Sequence, residues 1–392
     1  MGNVVSKMNV GSFTGGYVIR LSLICLLAVG ISACAKRPEE SVGTRTLLPM
    51  EAVDNYGVLK ASIGLETTDK KSSDGVHTVL ALSAGGTGGA YGAGVLVGWT
   101  KNGTRPNFDV VTGVSTGALQ AVMAFLGPQY DPLLEELYTT TETKQILKSK
   151  GLGGLVGDSL YDNTPLKQQI AKLVTSELLE QIAVEHDRGR RLYVATTNLD
   201  AGDLIIWDMG QIAKGGRTNK LLHFRKVLRA SAAVPTFFKP VYIKPQRGIE
   251  LRQAHVDGSV KKPILVSGFM FQSPLKKKAL YMIVNRSTAR FNASQPVKPT
   301  LAGIARKSIL EMMRELQENT IYRDYVLAAN TGAKFKITAI PDSFPPSNNV
   351  VKIDLVRMKK LFAIGHEVGL AGLSRWNDHP DLISPNERVA AR

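Results

Sequence analysis

Val76-His77-Thr78-Val79-Leu80-Ala81-Leu82-Ser83-Ala84-Gly85-Gly86-Thr87-Gly88-Gly89 opens the folded part of the chain and decides its architecture. Residues 76–83 are β-branched and apolar, which reads as a buried strand. Glycines follow at once, and residues 90–100 have helical character. The same unit returns at residues 108–112, where Gly113-Val114-Ser115-Thr116-Gly117 closes a second strand and a helix continues to residue 125. Further strands are expected at 192–197, 204–207, 255–256 and 279–284, with helices at 133–148, 165–186 and 227–233. Strands alternating with helices predict an α/β fold of three α/β/α layers, in which a mostly parallel central sheet lies between helices. In such sheets ligands bind at the carboxyl ends of the strands.

Past residue 290 the pattern changes. Residues 301–329 and 354–370 are long amphipathic stretches separated by a strand-like segment at 335–340, and their apolar spacing is explained by core burial. Residues 290–392 are therefore expected to form a C-terminal helical extension packed on a folded domain at 76–289. With 392 residues, 44% of them hydrophobic, the chain can bury one large core and a smaller appendage. No internal repeat is evident.

Ahead of the folded domain the chain reads as an address. Arg20 precedes an apolar run, 21–33, interrupted only by Ser22, Gly30 and Ser32. The run is too short to span a bilayer, which needs about 20 residues, and fits the apolar core of a signal peptide, residues 1–33. Its end, Ile31-Ser32-Ala33-Cys34, resembles the lipobox of bacterial lipoproteins, which implies lipidation at Cys34 and a place in the cell envelope. Ala35 lacks the aspartate associated with inner-membrane retention, so the periplasmic side of the outer membrane is expected. Residues 34–75, rich in Ser, Thr, Glu, Lys and Gly, then form a tether. A rival reading takes Met1-Gly2-Asn3-Val4-Val5-Ser6 as a myristoylation pattern, but leaves the apolar run and Cys34 unexplained. Translation from Met8 would shorten the leader. Cys25 and Cys34 are the two cysteines, so disulfides, cysteine metal sites and cysteine nucleophiles are excluded from the body of the protein.

Lysine and arginine exceed aspartate and glutamate by 49 to 33, a net charge of +16, which favours polyanions. Nucleic acid is disfavoured, because no zinc-ligand spacing, basic recognition helix or aromatic nucleotide-binding stretch is present. A basic membrane-facing surface is the better reading; the plainer one treats Lys261, Lys262, Lys276, Lys277 and Lys278 as a solvated rim.

The chemistry lies at three glycine-marked loops. The Gly-x-Ser-x-Gly pentad at 113–117 sits between a strand and a helix, the setting of a nucleophile elbow. The loop at 83–89 lets backbone N–H groups converge on one point. A loop of this kind also holds phosphates or dinucleotides, but no Gly-Lys-Ser or Gly-Lys-Thr follows, and no acidic residue closes an obvious second strand about 20 residues on. Asp257-Gly258-Ser259 places a third candidate, a carboxylate, at a strand end.

In this order the motifs resemble the patatin-like phospholipase family. Residues 82–89, with Gly94-Val95-Leu96, look like its glycine-rich motif; residues 113–117 like its serine elbow; Asp257-Gly258 like its dyad aspartate. Ala230-Ser231-Ala232-Ala233-Val234-Pro235, with Phe238 and Pro240, resembles a segment ahead of that aspartate. The resemblance covers about 76–285 and implies a patatin-like fold, Ser115 as nucleophile, Asp257 as base, an oxyanion hole from Gly85, Gly86 and Thr87, and structural glycines at Gly89, Gly113, Gly117 and Gly258. It implies phospholipid or another lipid ester as substrate, and no cofactor or metal. Three positions depart from the pattern. Ala84 replaces a glycine and narrows the hole if its φ is positive; Gly88 stands where arginine or lysine is common; Ser259 stands where glycine or alanine is usual. Other readings remain: a general esterase or acyltransferase with a Ser-Asp-His triad through His366 or His379, or an inactive membrane-anchored lipoprotein that only binds. His255, two residues before Asp257 on the same strand face, reads as structural or supporting.

Overall fold

The computed structural model describes residues 58–59, 75–151, 159–216, 218–244, 252–287, 297, 299–345 and 353–380. In chain order the strands are β1 (Val58–Leu59), β2 (Val76–Leu82), β3 (Val110–Gly113), β4 (Lys148–Ser149), β5 (Tyr161–Asp162), β6 (Arg191–Asn198), β7 (Asp203–Asp208), β8 (Val241–Ile243), β9 (Gln253–Asp257), β10 (Lys277–Val284) and β11 (Ala333–Ala339). The helices are α1 (Gly89–Asn102), α2 (Thr116–Leu126), α3 (Asp131–Thr139), α4 (Thr164–Leu173), α5 (Ser176–Asp187), α6 (Met209–Lys214), α7 (Lys220–Ser231), α8 (Leu301–Asn330) and α9 (Leu355–Leu370). One sheet runs β1-β7-β6-β3-β2-β10-β11, with β9 paired to β6 and β8 to β9. The run from β6 through β3, β2 and β10 to the edge strand β11 is parallel. β4 and β5 form a separate antiparallel pair.

Strand alternation divides the core. Leu80 and Leu82 of β2 and Ala279, Tyr281 and Ile283 of β10 face a layer that includes α1, α2, α5, α7 and α9. Val79, Ala81, Leu280, Met282 and Val284 face the other side, covered by α8 and residues 264–271. This two-residue period gives each strand two apolar faces, which a doubly covered parallel sheet requires. The mostly parallel α/β/α arrangement follows directly from the strand-helix alternation of the sequence.

Several details differ from the sequence reading. The stretch 165–186 is two helices, because Thr175 is extended and its hydroxyl accepts the Leu178 N–H at 3.3 Å, capping α5. The helix expected to reach residue 148 stops at Thr139. The region after 290 contributes β11, an edge strand of the main sheet, as well as helices. α9 fits against α1 closely: a methyl at Gly94 or Gly98 would strike the carbonyls of Phe362 or His366, and one at Gly365 or Gly369 those of Tyr91 or Val95. Within the expected tether, β1 pairs antiparallel with β7. Cys34 and the rest of 1–57 lie outside the described residues.

Candidate active site

The pentad turns as sharply as its glycines allow. β3 ends at Gly113 and α2 starts at Thr116, leaving Ser115 at φ 57° and ψ −123°, one of two non-glycine residues with positive φ among those described. Such a conformation costs about 1–3 kcal/mol and persists only where its surroundings impose it. They do so here by contact. A methyl at Gly113 would lie 2.6 Å from the Cα of Ala118, and one at Gly117 would lie 2.6 Å from the Ser83 carbonyl oxygen. The Ser115 N–H donates to Ser231 Oγ at 3.0 Å.

Sheet register brings Asp257 to this serine. β3 pairs with β6 as far as Gly113 opposite Val194. β7 occupies the other edge of β6, so β9, which pairs Asp257 with Thr196, takes over the edge that β3 leaves. Val194 and Thr196 are two residues apart, about 6.5 Å along a strand, the reach of two further residues past Gly113. Asp257 is fully buried. Its N–H donates to the Ala233 carbonyl at 3.0 Å, and its Oδ1 accepts the Ser259 N–H at 2.8 Å. Oδ2 has no partner of full hydrogen-bond geometry among the described residues, so the carboxylate keeps an acceptor open. Burial pushes the carboxyl up; the Ser115 hydroxyl beside it pulls the other way, as do the Ser259 amide and hydroxyl and the charge of Arg286.

The segment 230–235 now has a physical role. Ser231 holds the main chain of Ser115 and Ala233 that of Asp257, so one short stretch fixes both. Ser259, a departure from the family pattern, donates to the aspartate through its main chain. Ala84 is not among the residues with positive φ, and its N–H donates to the Pro263 carbonyl at 2.9 Å. Gly85, Gly86 and Thr87 line the same cavity as Ser115. Their N–H groups open a short 3₁₀ turn and have no main-chain acceptor among the described residues, as the first amides of a helical turn do not. Asn285 braces this loop from β10: its N–H donates to Ser83 Oγ at 2.7 Å, and its Nδ2 to the Ser83 carbonyl at 2.8 Å and Gln120 Oε1 at 2.9 Å. The sequence offers no signal for this bracing beyond the position of Asn285 at a strand end.

These groups share a cavity of about 460 Å³ with a largely apolar wall that includes Leu166, Ile170, Phe237 and Met313. None of the six histidines lines it. His255 is buried, with Nδ1 2.9 Å from Thr196 Oγ1, which also accepts the Trp207 Nε1–H at 2.8 Å. Burial pushes its imidazole down to about 3, so it is neutral and structural. His366 lies against Phe362 and His379 against Tyr325, each within the C-terminal region. Among the described residues no three His, Cys, Asp or Glu side chains gather as a metal site, and no helix is long and apolar enough to cross a membrane.

Comparison with known proteins gives a family. No curated protein matches the chain significantly. Among solved structures, VipD from Legionella pneumophila is similar at 11% identity and TM-score 0.38, covering 79% of this chain and 69% of that one. The type III effector ExoU is similar at 11% identity and TM-score 0.38, covering 78% and 54%. ExoU from Pseudomonas aeruginosa in its complex with SpcU is similar at 14% identity and TM-score 0.31, covering 86% and 62%. The chain thus spans little more than half the length of some structures it resembles. The model of the patatin-like phospholipase family matches residues 80–270, which hold the glycine loop, the serine elbow and Asp257. Residues 80–270 of the chain thus form a patatin-like phospholipase domain.

Proposed function

We propose that this protein is a serine acyl hydrolase of lipid esters in which Ser115 is the nucleophile and Asp257 its base. One observation carries the reading: a serine in a strained strand-to-helix turn lies beside a buried aspartate at the floor of an apolar cavity. Asp257 takes the proton from Ser115 Oγ as that oxygen attacks the ester carbonyl. The tetrahedral oxyanion is held by the N–H groups of Gly85, Gly86 and Thr87, each donor that matters contributing about 3–4 kcal/mol. Asp257 returns the proton to the leaving alcohol, and a water activated by the same carboxylate then cleaves the acyl-enzyme. A carboxylate is an inefficient base at its ordinary pKa, and burial that raises it makes it a better one. Since the ionised form is required, kcat/KM rises with pH through the Asp257 titration, at a pH above the usual carboxylate range.

The apolar wall suits an acyl chain, and phospholipid or lysophospholipid is the substrate class we favour. The lipobox-like Ile31-Ser32-Ala33-Cys34 supports a lipid anchor that holds the enzyme at a bacterial envelope membrane. Fluorophosphonate labelling tests the reaction. Wild type should be labelled and Ser115→Ala should not, whereas a binding module without chemistry would leave both unlabelled. Asp257→Asn should lose esterase activity and His366→Ala keep it; the reverse pattern would overturn the dyad.

A further inference from the structure

The three neighbouring strands β3, β2 and β10 lead to the cavity, as does β9, which follows β3 along the same edge of β6. β9 supplies Asp257, β3 leads to Ser115, β2 leads to the glycine loop, and β10 leads to Arg286. The main chain of Arg286 is fixed on both sides. Asn285 before it is fully buried and braces Ser83, and the Arg286 carbonyl accepts the Ile340 N–H at 3.3 Å. The glycine loop packs directly on this peptide, since a methyl at Gly85 would lie 2.5 Å from the Asn285 Cβ, and one at Gly88 would strike the Asn285 carbonyl. Gly88, the loop position without a cation, therefore packs on the peptide that joins Asn285 to Arg286.

Among the described residues lining the cavity, Arg286 and Asp257 are the charged ones. Arg286 has no carboxylate within salt-bridge distance among the described residues; the nearby Arg314 of α8, which repels it, is itself paired with Glu311 at 2.5 Å. A guanidinium keeps its proton in a protein, so a half-buried one in an apolar wall is costly until an anion completes it. Asp257 cannot be a full partner, because its Oδ1 is committed to Ser259 and it must take up the serine proton. Resting on the hydrolase reading above, we propose that Arg286 is the anion subsite of this cavity and binds the phosphodiester of a glycerophospholipid whose ester carbonyl lies at Ser115. The planar fork of arginine matches two phosphate oxygens. The glycine loop lies between β3 and β10, which are two strand spacings, about 10 Å, apart. An ester whose oxyanion enters that loop therefore has its phosphodiester on the Arg286 side and its acyl chain against the apolar wall. The subsite selects phospholipids over neutral glycerides.

The full-length protein with Arg286→Gln tests this against dioleoyl phosphatidylcholine and dioleoylglycerol in the same mixed micelles, and against p-nitrophenyl butyrate. Loss of the guanidinium also moves the Asp257 titration to higher pH, so each variant is measured on its own alkaline plateau; there we expect kcat/KM on the phospholipid to fall about 30-fold further than on either neutral ester, with Arg286→Lys between. Dodecylphosphocholine, an alkyl phosphodiester without a carboxylic ester, should inhibit p-nitrophenyl butyrate hydrolysis by wild type and need about tenfold more to inhibit Arg286→Gln. Equal losses on all three substrates would show that Arg286 acts through Asp257 or the fold, and would overturn the subsite. So would an unchanged phospholipid rate. Either result leaves the hydrolase reading standing, whereas absence of Ser115-dependent turnover of every substrate would remove that reading and the subsite with it.

Discussion

The two walls of the cavity are built on different principles. The inner wall, at the strand ends, is set by the main chain: Ser115, Ser259 and Asp257 are 5%, 1% and 0% exposed, and each is held by a backbone hydrogen bond. The outer wall comes from the first half of α8 and from Leu199 after β6. There Ile309, Met312 and Leu199 are 37%, 65% and 48% exposed, and what closes the cavity is apolar side chains. The second half of α8 is different again, with Gln317, Thr320, Ile321, Asp324 and Ala328 buried against the sheet. Strain and desolvation are thus concentrated where the proposed mechanism moves a proton, and adaptable apolar surface where the proposed lipid substrate would enter. A site of this kind gains precision from the rigid wall and access from the other.

The contrast is broken most forcefully at Ser115. Ser115→Ala should lose at least about a thousandfold in kcat/KM toward p-nitrophenyl butyrate, and Ser115→Gly equally. The two should differ in stability: glycine adopts φ 57° without penalty, so Ser115→Gly should exceed Ser115→Ala by about 1 kcal/mol in urea unfolding. Equal stabilities would mean that the inner wall stores no strain there. Asp257→Asn should likewise lose about a thousandfold in rate. Its stability carries a sign. The folded carboxyl is raised, so its contribution is whole below the unfolded pKa, about 3.9, and drains as pH rises through the folded value. The uncharged asparagine escapes that loss. Thermal unfolding should find Asp257→Asn more stable than wild type at pH 8 and no more stable at pH 4.

Much of the inner wall was legible because its chemistry is written in glycine. Gly-x-Ser-x-Gly is weak evidence alone, but it gains meaning between a strand and a helix, and the apolar runs 79–82 of β2, 110–111 of β3 and 279–284 of β10 mark the strands. The meeting of Ser115 with Asp257, 142 positions apart in the chain, was legible only through family resemblance; in physical terms it depends on β9 replacing β3 along β6, a register no local pattern encodes. The same limit hid Arg286 and Asn285. A strand end gives their position, but only the sheet order says which loop they touch. Ser231 and Ala233 sat in a recognised segment whose purpose is a pair of main-chain hydrogen bonds. The helical period of the outer wall reads as core burial, which holds for Ile321 and Ala328 in the second half of α8 but not for Ile304, Ile309 and Met312 in the first. What periodicity does not convey is that one helix can bury its second half and leave its first half at a cavity mouth.

Two milder substitutions on facing walls sharpen the comparison. Ser259→Ala keeps the main-chain N–H that holds Asp257 Oδ1 but removes a hydroxyl that lowers the carboxyl. The acid limb of kcat/KM should therefore move to higher pH, with the plateau rate on p-nitrophenyl butyrate within about threefold of wild type. An unmoved limb would mean that the titrating group is not Asp257. Met312→Asp should do the opposite. At 65% exposure the side chain supports little packing, so unfolding free energy should stay within about 0.5 kcal/mol and the pH limb should not move. A carboxylate at the apolar mouth should nonetheless slow turnover of phospholipid in vesicles several-fold, relative to the small soluble ester, because the mouth must meet lipid before the inner wall can act. A Met312→Asp variant that loses stability or shifts the pH limb would show that the outer wall is coupled to the chemistry after all, and that the division between a rigid catalytic wall and a tolerant entry wall is wrong.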